Sequence, residues 1–170
     1  MFGAVRWLIL AAFTGALSAA MLPVPLLARE TVAFPGAAEP GTIVVRTNER
    51  KLYYVVDHGR ALRYPVGVGR AGKQWFGTTS IATKALRPAW SPPAEIRRDR
   101  PAWVIPSGAP NNPMGAAALV LADNELAIHG TNNPGSVGGF VSWGCIRMHN
   151  SDVMDLFSRV SVGTRVVIAH

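Results

Sequence analysis

Cysteine is nearly absent. A single thiol, Cys145, in 170 residues rules out an internal disulfide framework. Charge is sparse, at 16% of residues, yet 49% are apolar, which excludes a disordered chain. The histidines number only four (His58, His129, His149 and His170), and they lack the spacing of a zinc site, so no metal is expected. No Lys/Arg-rich block with interleaved aromatics occurs, so nucleic acid is not an expected partner. The glycine-containing loop at 130–139 is not followed by Lys-Ser/Thr, which removes the phosphate-cradle reading. The length holds one core of ordinary size but not two large domains. The 17 glycines and 13 prolines suit short strands and turns better than a helix bundle.

The N-terminus has a distinct order. Residues 1–6 carry one basic and no acidic side chain, and residues 7–28 carry no charge at all. An apolar run opens at Trp7, Pro23 and Pro25 break it, and the small Ala28 precedes Arg29. This is the layout of a secretory signal. The alternative is an uncleaved anchor. To Leu22 the uncharged stretch is short for a membrane span, and it is long enough only if carried through the prolines to Ala28. Either way the chain is expected in the periplasm or cell envelope, touching the membrane only through residues 7–28. Acids are outnumbered 10 to 17 by Lys+Arg. Residues 46–100 hold twelve bases and four acids, against three and four in residues 101–170. For an exported chain this excess fits an anionic envelope polymer, or simply a solvated basic face.

Residues 29–40 are rich in Pro, Gly and Ala without periodicity and read as a linker. Residues 41–170 read as the folded domain. β-rich segments at 42–45, 51–56 and 61–68, separated by turn residues, predict a β-meander. Ten Pro and Trp residues punctuate 69–117, which forbids a long helix and predicts loops with short strands such as 79–83. Residues 117–121 and 126–129 read as strands around a turn at Asp123-Asn124. The apolar stripe of Val153, Met154, Leu156, Phe157 and Val160 predicts one helix over about 151–160, capped by Asn150 or Ser151. Residues 163–168 read as a closing strand. The expected fold is mostly β, a sandwich or closed barrel of mixed strands with one short helix.

Residues 126–150 carry the chemistry. A strand delivers His129 to its end. A turn-rich loop follows, then Phe140-Val141-Ser142 leads into Trp143-Gly144-Cys145. The Pro134-Gly135 and Gly138-Gly139 pairs allow the chain to fold back and bring His129 to Cys145. An ordinary thiol is only a few per cent thiolate at neutral pH; a histidine that takes its proton leaves an ion pair with a reactive sulfur. Gly144 permits a tight turn, and backbone N–H groups beside it could stabilise an oxyanion. Arg147, two residues on and so on the same strand face, suits a substrate carboxylate. His149 is a rival base, but along an extended segment it lies about 13 Å from Cys145. A lone cysteine also fits a small buried apolar side chain, and Trp143 is as well suited to packing as to lining a site.

His129-Gly130-Thr131 followed by Ser142-Trp143-Gly144-Cys145-Ile146-Arg147-Met148 resembles the active-site signature of the L,D-transpeptidases, the YkuD-type catalytic domain. Arg50-Lys51-Leu52-Tyr53, Tyr64-Pro65-Val66-Gly67-Val68-Gly69, Trp90-Ser91-Pro92-Pro93 and Asn111-Asn112-Pro113-Met114-Gly115 extend the likeness over roughly residues 41–168. Two features depart from the family. Trp143 stands where a histidine is frequent, and Phe76-Gly77-Thr78-Thr79 replaces a Thr-Pro-Thr-Gly-like loop. The resemblance implies Cys145 as nucleophile and His129 as base, with the Gly130 carbonyl orienting His129. It also implies backbone N–H groups at Trp143, Gly144 and Cys145 for the oxyanion; Ser142 and Arg147 complete the candidate substrate-binding set. The implied donor is a peptidoglycan tetrapeptide stem, which loses D-alanine and passes through a thioester. The acceptor is an amine of another stem, or of an envelope lipoprotein, and no cofactor is needed. A hydrolase using water and a non-catalytic wall-binding module are the alternatives.

Overall fold

A computed structural model describes residues 30–93, 97, 103–122 and 126–170. Residues 1–28 and the turn at Asp123-Asn124 lie outside that set. The strands are β1 (Glu30–Ala33), β2 (Ile43–Arg46), β3 (Lys51–Asp57), β4 (Arg60–Pro65), β5 (Val68–Gly69), β6 (Gly77–Leu86), β7 (Ala117–Leu121), β8 (Ala127–His129), β9 (Phe140–Ser142), β10 (Ile146–Arg147) and β11 (Arg165–Ala169). The helix α1 spans Asn150–Arg159. Nine strands form one mixed sheet in the order β1-β4-β3-β2-β11-β6-β7-β8-β10, and β5 pairs with β9 apart from it. Among the described residues the fold is mostly β, with mixed strands and one short α-helix, as the sequence predicts.

The meander β2-β3-β4 is antiparallel. Its alternation is plain in β2, where Ile43 and Val45 face the main core while Val44 faces a smaller cluster with Phe34, Tyr53, Val55 and Ala61. Strand β6 turns the sheet. Its first residues pair with β11 and its last with β7, with a register shift between Ile81 and Thr83. The two halves of the sheet therefore share one core, with Leu52 and Tyr64 from one side and Leu119, Ile128 and Ile146 from the other. Val153 and Leu156 of α1 close it. At the helix C-terminus Lys84 Nζ donates to the Phe157 and Val160 carbonyls at 2.6 and 2.5 Å, meeting the negative end of the helix dipole with a cation.

Five expectations need correction. Within the segment read as a linker, Glu30–Ala33 pairs antiparallel with β4, and Phe34 is buried against Tyr53 with ring centroids 5.1 Å apart. Proline and glycine further along mask that short apolar alternation. The segment 61–68 does not run as one strand, because β4 ends at Pro65 and Val68 pairs with Phe140 in the small sheet. The strand expected at 79–83 has ten residues. Met154 is exposed rather than part of the core stripe, and the helix cap is His149, whose side chain makes no capping hydrogen bond.

Candidate active site

The parallel pairing of β8 with β10 builds the site. Ile146 aligns with Ile128 and Arg147 with His129. Side chains alternate along a strand, so His129 and Arg147 share one face, and Cys145, one residue ahead of β10, belongs to the same face beside Ala127. At ordinary strand spacing this puts the Cys145 and His129 backbones about 8 Å apart on a diagonal, a gap the two side chains can span. The sixteen-residue excursion between them therefore folds back as expected. Gly67 holds the other edge of β10, exchanging two 2.8 Å hydrogen bonds with the Arg147 backbone.

His129 is buried, at 4% exposure. Its Nδ1 lies 2.6 Å from the Gly130 carbonyl oxygen. A carbonyl only accepts, so Nδ1 carries the hydrogen and Nε2 is left as the proton acceptor. Burial pushes the His129 pKa down to about 4; hydrogen bonds to the Gly130 and Pro113 carbonyls oppose this, and the Arg147 charge adds to it. Burial likewise pushes the Cys145 thiol above its ordinary value, against backbone hydrogen bonding at Ala127 and Cys145 and the Arg147 charge. Both directions favour the uncharged pair. Burial thus works against the ion pair expected from the sequence.

The turn carrying the thiol is held from within. Ser142, 1% exposed, donates its hydroxyl to the Cys145 carbonyl at 2.6 Å and accepts the Gly144 N–H at 3.0 Å. Its hydroxyl is committed to shaping the turn, so the structure does not offer Ser142 as a substrate contact. The Gly144 N–H is equally committed, which removes it from the expected oxyanion set and leaves the N–H groups of Trp143 and Cys145. Gly144 has φ +125°, a conformation that side chains rarely adopt, and a Cβ there would sit 3.1 Å from Leu126 Cδ2. Gly144→Ala is expected to cost about 1–2 kcal/mol from the positive φ alone. Urea unfolding measures this, and iodoacetamide labelling should show Cys145 shifted from its native reactivity.

Arg147 is half-buried, and its Nε has no hydrogen-bond partner among the described residues. Trp143 is 37% exposed and packs under the Arg70 guanidinium, 3.5 Å from the ring centroid. The same loop donates Arg70 N–H to the Ser142 carbonyl at 3.0 Å and the Trp75 indole N–H to the Gly144 carbonyl at 3.1 Å. Trp143 therefore serves as a packing surface for a basic rim. The sequence did not single out Arg70 or Trp75, whose partners lie some seventy residues away; nor did it give Asn150 more than a capping role.

A family model for the L,D-transpeptidase catalytic domain matches residues 40–168. ErfK/SrfK of Escherichia coli K12, named a probable L,D-transpeptidase, is 37% identical over 150 residues, covering 82% of this chain and 47% of the relative. YkuD of Bacillus subtilis, provisionally named an L,D-transpeptidase, is 36% identical over 150 residues, covering 84% of this chain and 77% of the relative. The chain spans about half the length of several curated relatives it matches. Among solved structures, the catalytic domain of the Enterococcus faecium L,D-transpeptidase acylated by ertapenem superposes with TM-score 0.60 at 20% identity, covering 78% of this chain and 99% of that one. A Mycobacterium smegmatis L,D-transpeptidase gives 0.62 at 18% identity, covering 76% and 58%; both likenesses concern the fold. On the extent of the family match and the identity to its relatives, the chain belongs to the L,D-transpeptidase catalytic-domain family.

Proposed function

We propose that this chain is an exported, cysteine-dependent acyltransferase that forms 3→3 cross-links between peptidoglycan stem peptides. The observation that carries the reading is the common face shared by Cys145 and His129 on neighbouring parallel strands, with Nδ1 of His129 fixed by Gly130. As Cys145 Sγ attacks the carbonyl carbon before the terminal D-alanine, His129 Nε2 takes the thiol proton. The Trp143 and Cys145 N–H groups receive the developing oxyanion. The C–N bond breaks, the proton passes from His129 to the departing amine, and a thioester remains. An amine of a second stem then attacks the thioester carbonyl and expels the thiolate, which recovers a proton through His129. A lysine of an envelope lipoprotein has the same chemistry and is the second acceptor class. No step calls for a metal or an organic cofactor.

Arg147 is the natural partner of a donor carboxylate, because its unpaired Nε adjoins the thiol. Arg147→Met is expected to raise KM about tenfold or more, in line with the loss of a charge-assisted hydrogen bond. Steady-state D-alanine release measures it. The whole reading is tested by incubating purified protein with tetrapeptide stems. Released D-alanine with cross-linked dimers supports it. Tripeptide without dimers makes the enzyme a hydrolase instead, and no release of D-alanine contradicts both.

A further inference from the structure

Asn150 is the first residue of α1, one past the cap position that His149 holds. Here its amide is spent elsewhere. Oδ1 accepts the Ala116 N–H at 3.0 Å and the Thr131 N–H at 3.1 Å, while Nδ2 donates to the Thr131 carbonyl at 3.1 Å. The Thr131 N–H and the Gly130 carbonyl belong to one peptide unit, and that carbonyl is the one that accepts the His129 Nδ1 hydrogen. The unit is planar and stiff, so gripping its N–H end fixes the direction of its C=O end. Hydrogen bonding at the N–H also polarises the carbonyl and strengthens its hold on the ring. The surroundings are shaped for this clamp. A Cβ on either Gly115 or Gly130 would fall 2.2 Å from Asn150 Oδ1, and Gly115 has φ +65°. Two positions without side chains thus admit the amide.

We propose that Asn150 is a positioning residue: it clamps the Gly130–Thr131 peptide so that His129 stays in the Nδ1–H tautomer with Nε2 available to Cys145. The inference rests on the thiol–imidazole reading of the site, and its test separates the two. Three measurements serve: the 15N imidazole shifts of His129, which report the tautomer; the alkylation rate of Cys145 by iodoacetamide; and kcat and KM for D-alanine release. His129→Ala is the reference, and it should slow alkylation at neutral pH.

Asn150→Ala is expected to give mixed His129 tautomers and to lower kcat about 10- to 100-fold, the scale of a misplaced catalytic group, with KM nearly unchanged. Asn150→Asp keeps an acceptor for both N–H groups. It should preserve the tautomer and most of kcat, while its negative charge moves the His129 titration upward in the field of Arg147 and Cys145. This variant carries the test where Asn150→Ala does not fold. A folded Asn150→Ala with native tautomer and native kcat overturns the assignment, as does an Asn150→Asp whose His129 titration does not move. If His129→Ala leaves alkylation unchanged, the thiol–imidazole reading itself falls. If it slows alkylation while Asn150 variants behave as native, only the assignment of Asn150 falls.

Discussion

Cys145→Ala is expected to abolish both D-alanine release and cross-linking while leaving the fold intact. Cys145 is the sole cysteine of the chain. The nearest hydroxyl in the turn, that of Ser142, is buried and hydrogen-bonded on both sides, so it cannot substitute as nucleophile. The loss should reach the detection limit of the assay, because the chain holds no other thiol. Cys145→Ser should be almost as inactive: a hydroxyl is a far weaker acid than a thiol, and the base beside it has its pKa held near 4. The half-buried position predicts a stability change within about 1 kcal/mol for either variant. Product chromatography and calorimetry check the two halves of this expectation.

His129→Gln should lower kcat about 100- to 10,000-fold, the usual share of a general base. It should also change how stability depends on pH. In the folded chain His129 has its pKa lowered from 6.5 to about 4, so the native state binds fewer protons than the unfolded state between those values. The stabilisation is complete above pH 6.5, is lost progressively as pH falls toward 4, and levels off below; roughly 3 kcal/mol is at stake. Glu49, held low chiefly by its hydrogen bond from Tyr53, acts only below its ordinary 4.5, so the upper part of the window belongs to the histidine. Thermal melts of the native chain should therefore fall from pH 6.5 to 5, and those of His129→Gln should stay flat. The acid limb of kcat/KM should lie near 4 rather than near 6.5, because the uncharged pair is the reactive form.

The sequence was most legible where residue type and spacing agreed over one whole element. Val153, Leu156 and Val160 marked the helix by burying one face, and the run of β-branched, aromatic and aliphatic residues at 51–56 between turns marked β3. The fold-back joining His129 to Cys145 was legible from turn residues at both ends of the loop. What escaped depends on partners distant in the chain. The strand Glu30–Ala33 exists only because β4 offers it an edge, and Glu30 adds an ion pair with Arg63. Ser142 suits a substrate contact by its place in the signature, and only the turn shows its hydroxyl bridging the Gly144 N–H and the Cys145 carbonyl. The desolvation of the pair was likewise hidden, since it is a property of the packed site and not of the His-Cys spacing. Asn150 suits a helix cap by residue type, which disguised its grip on residues 116 and 131.

The most direct test is intact-protein mass spectrometry during turnover of a tetrapeptide stem, with the reaction quenched in acid to preserve thioesters. The mechanism predicts a covalent adduct with the mass of the stem less D-alanine. Proteolysis should map it to the peptide containing Cys145, and adding an acceptor amine should discharge it. Turnover with no adduct on Cys145 under conditions that preserve thioesters, or an adduct on another side chain, would contradict it.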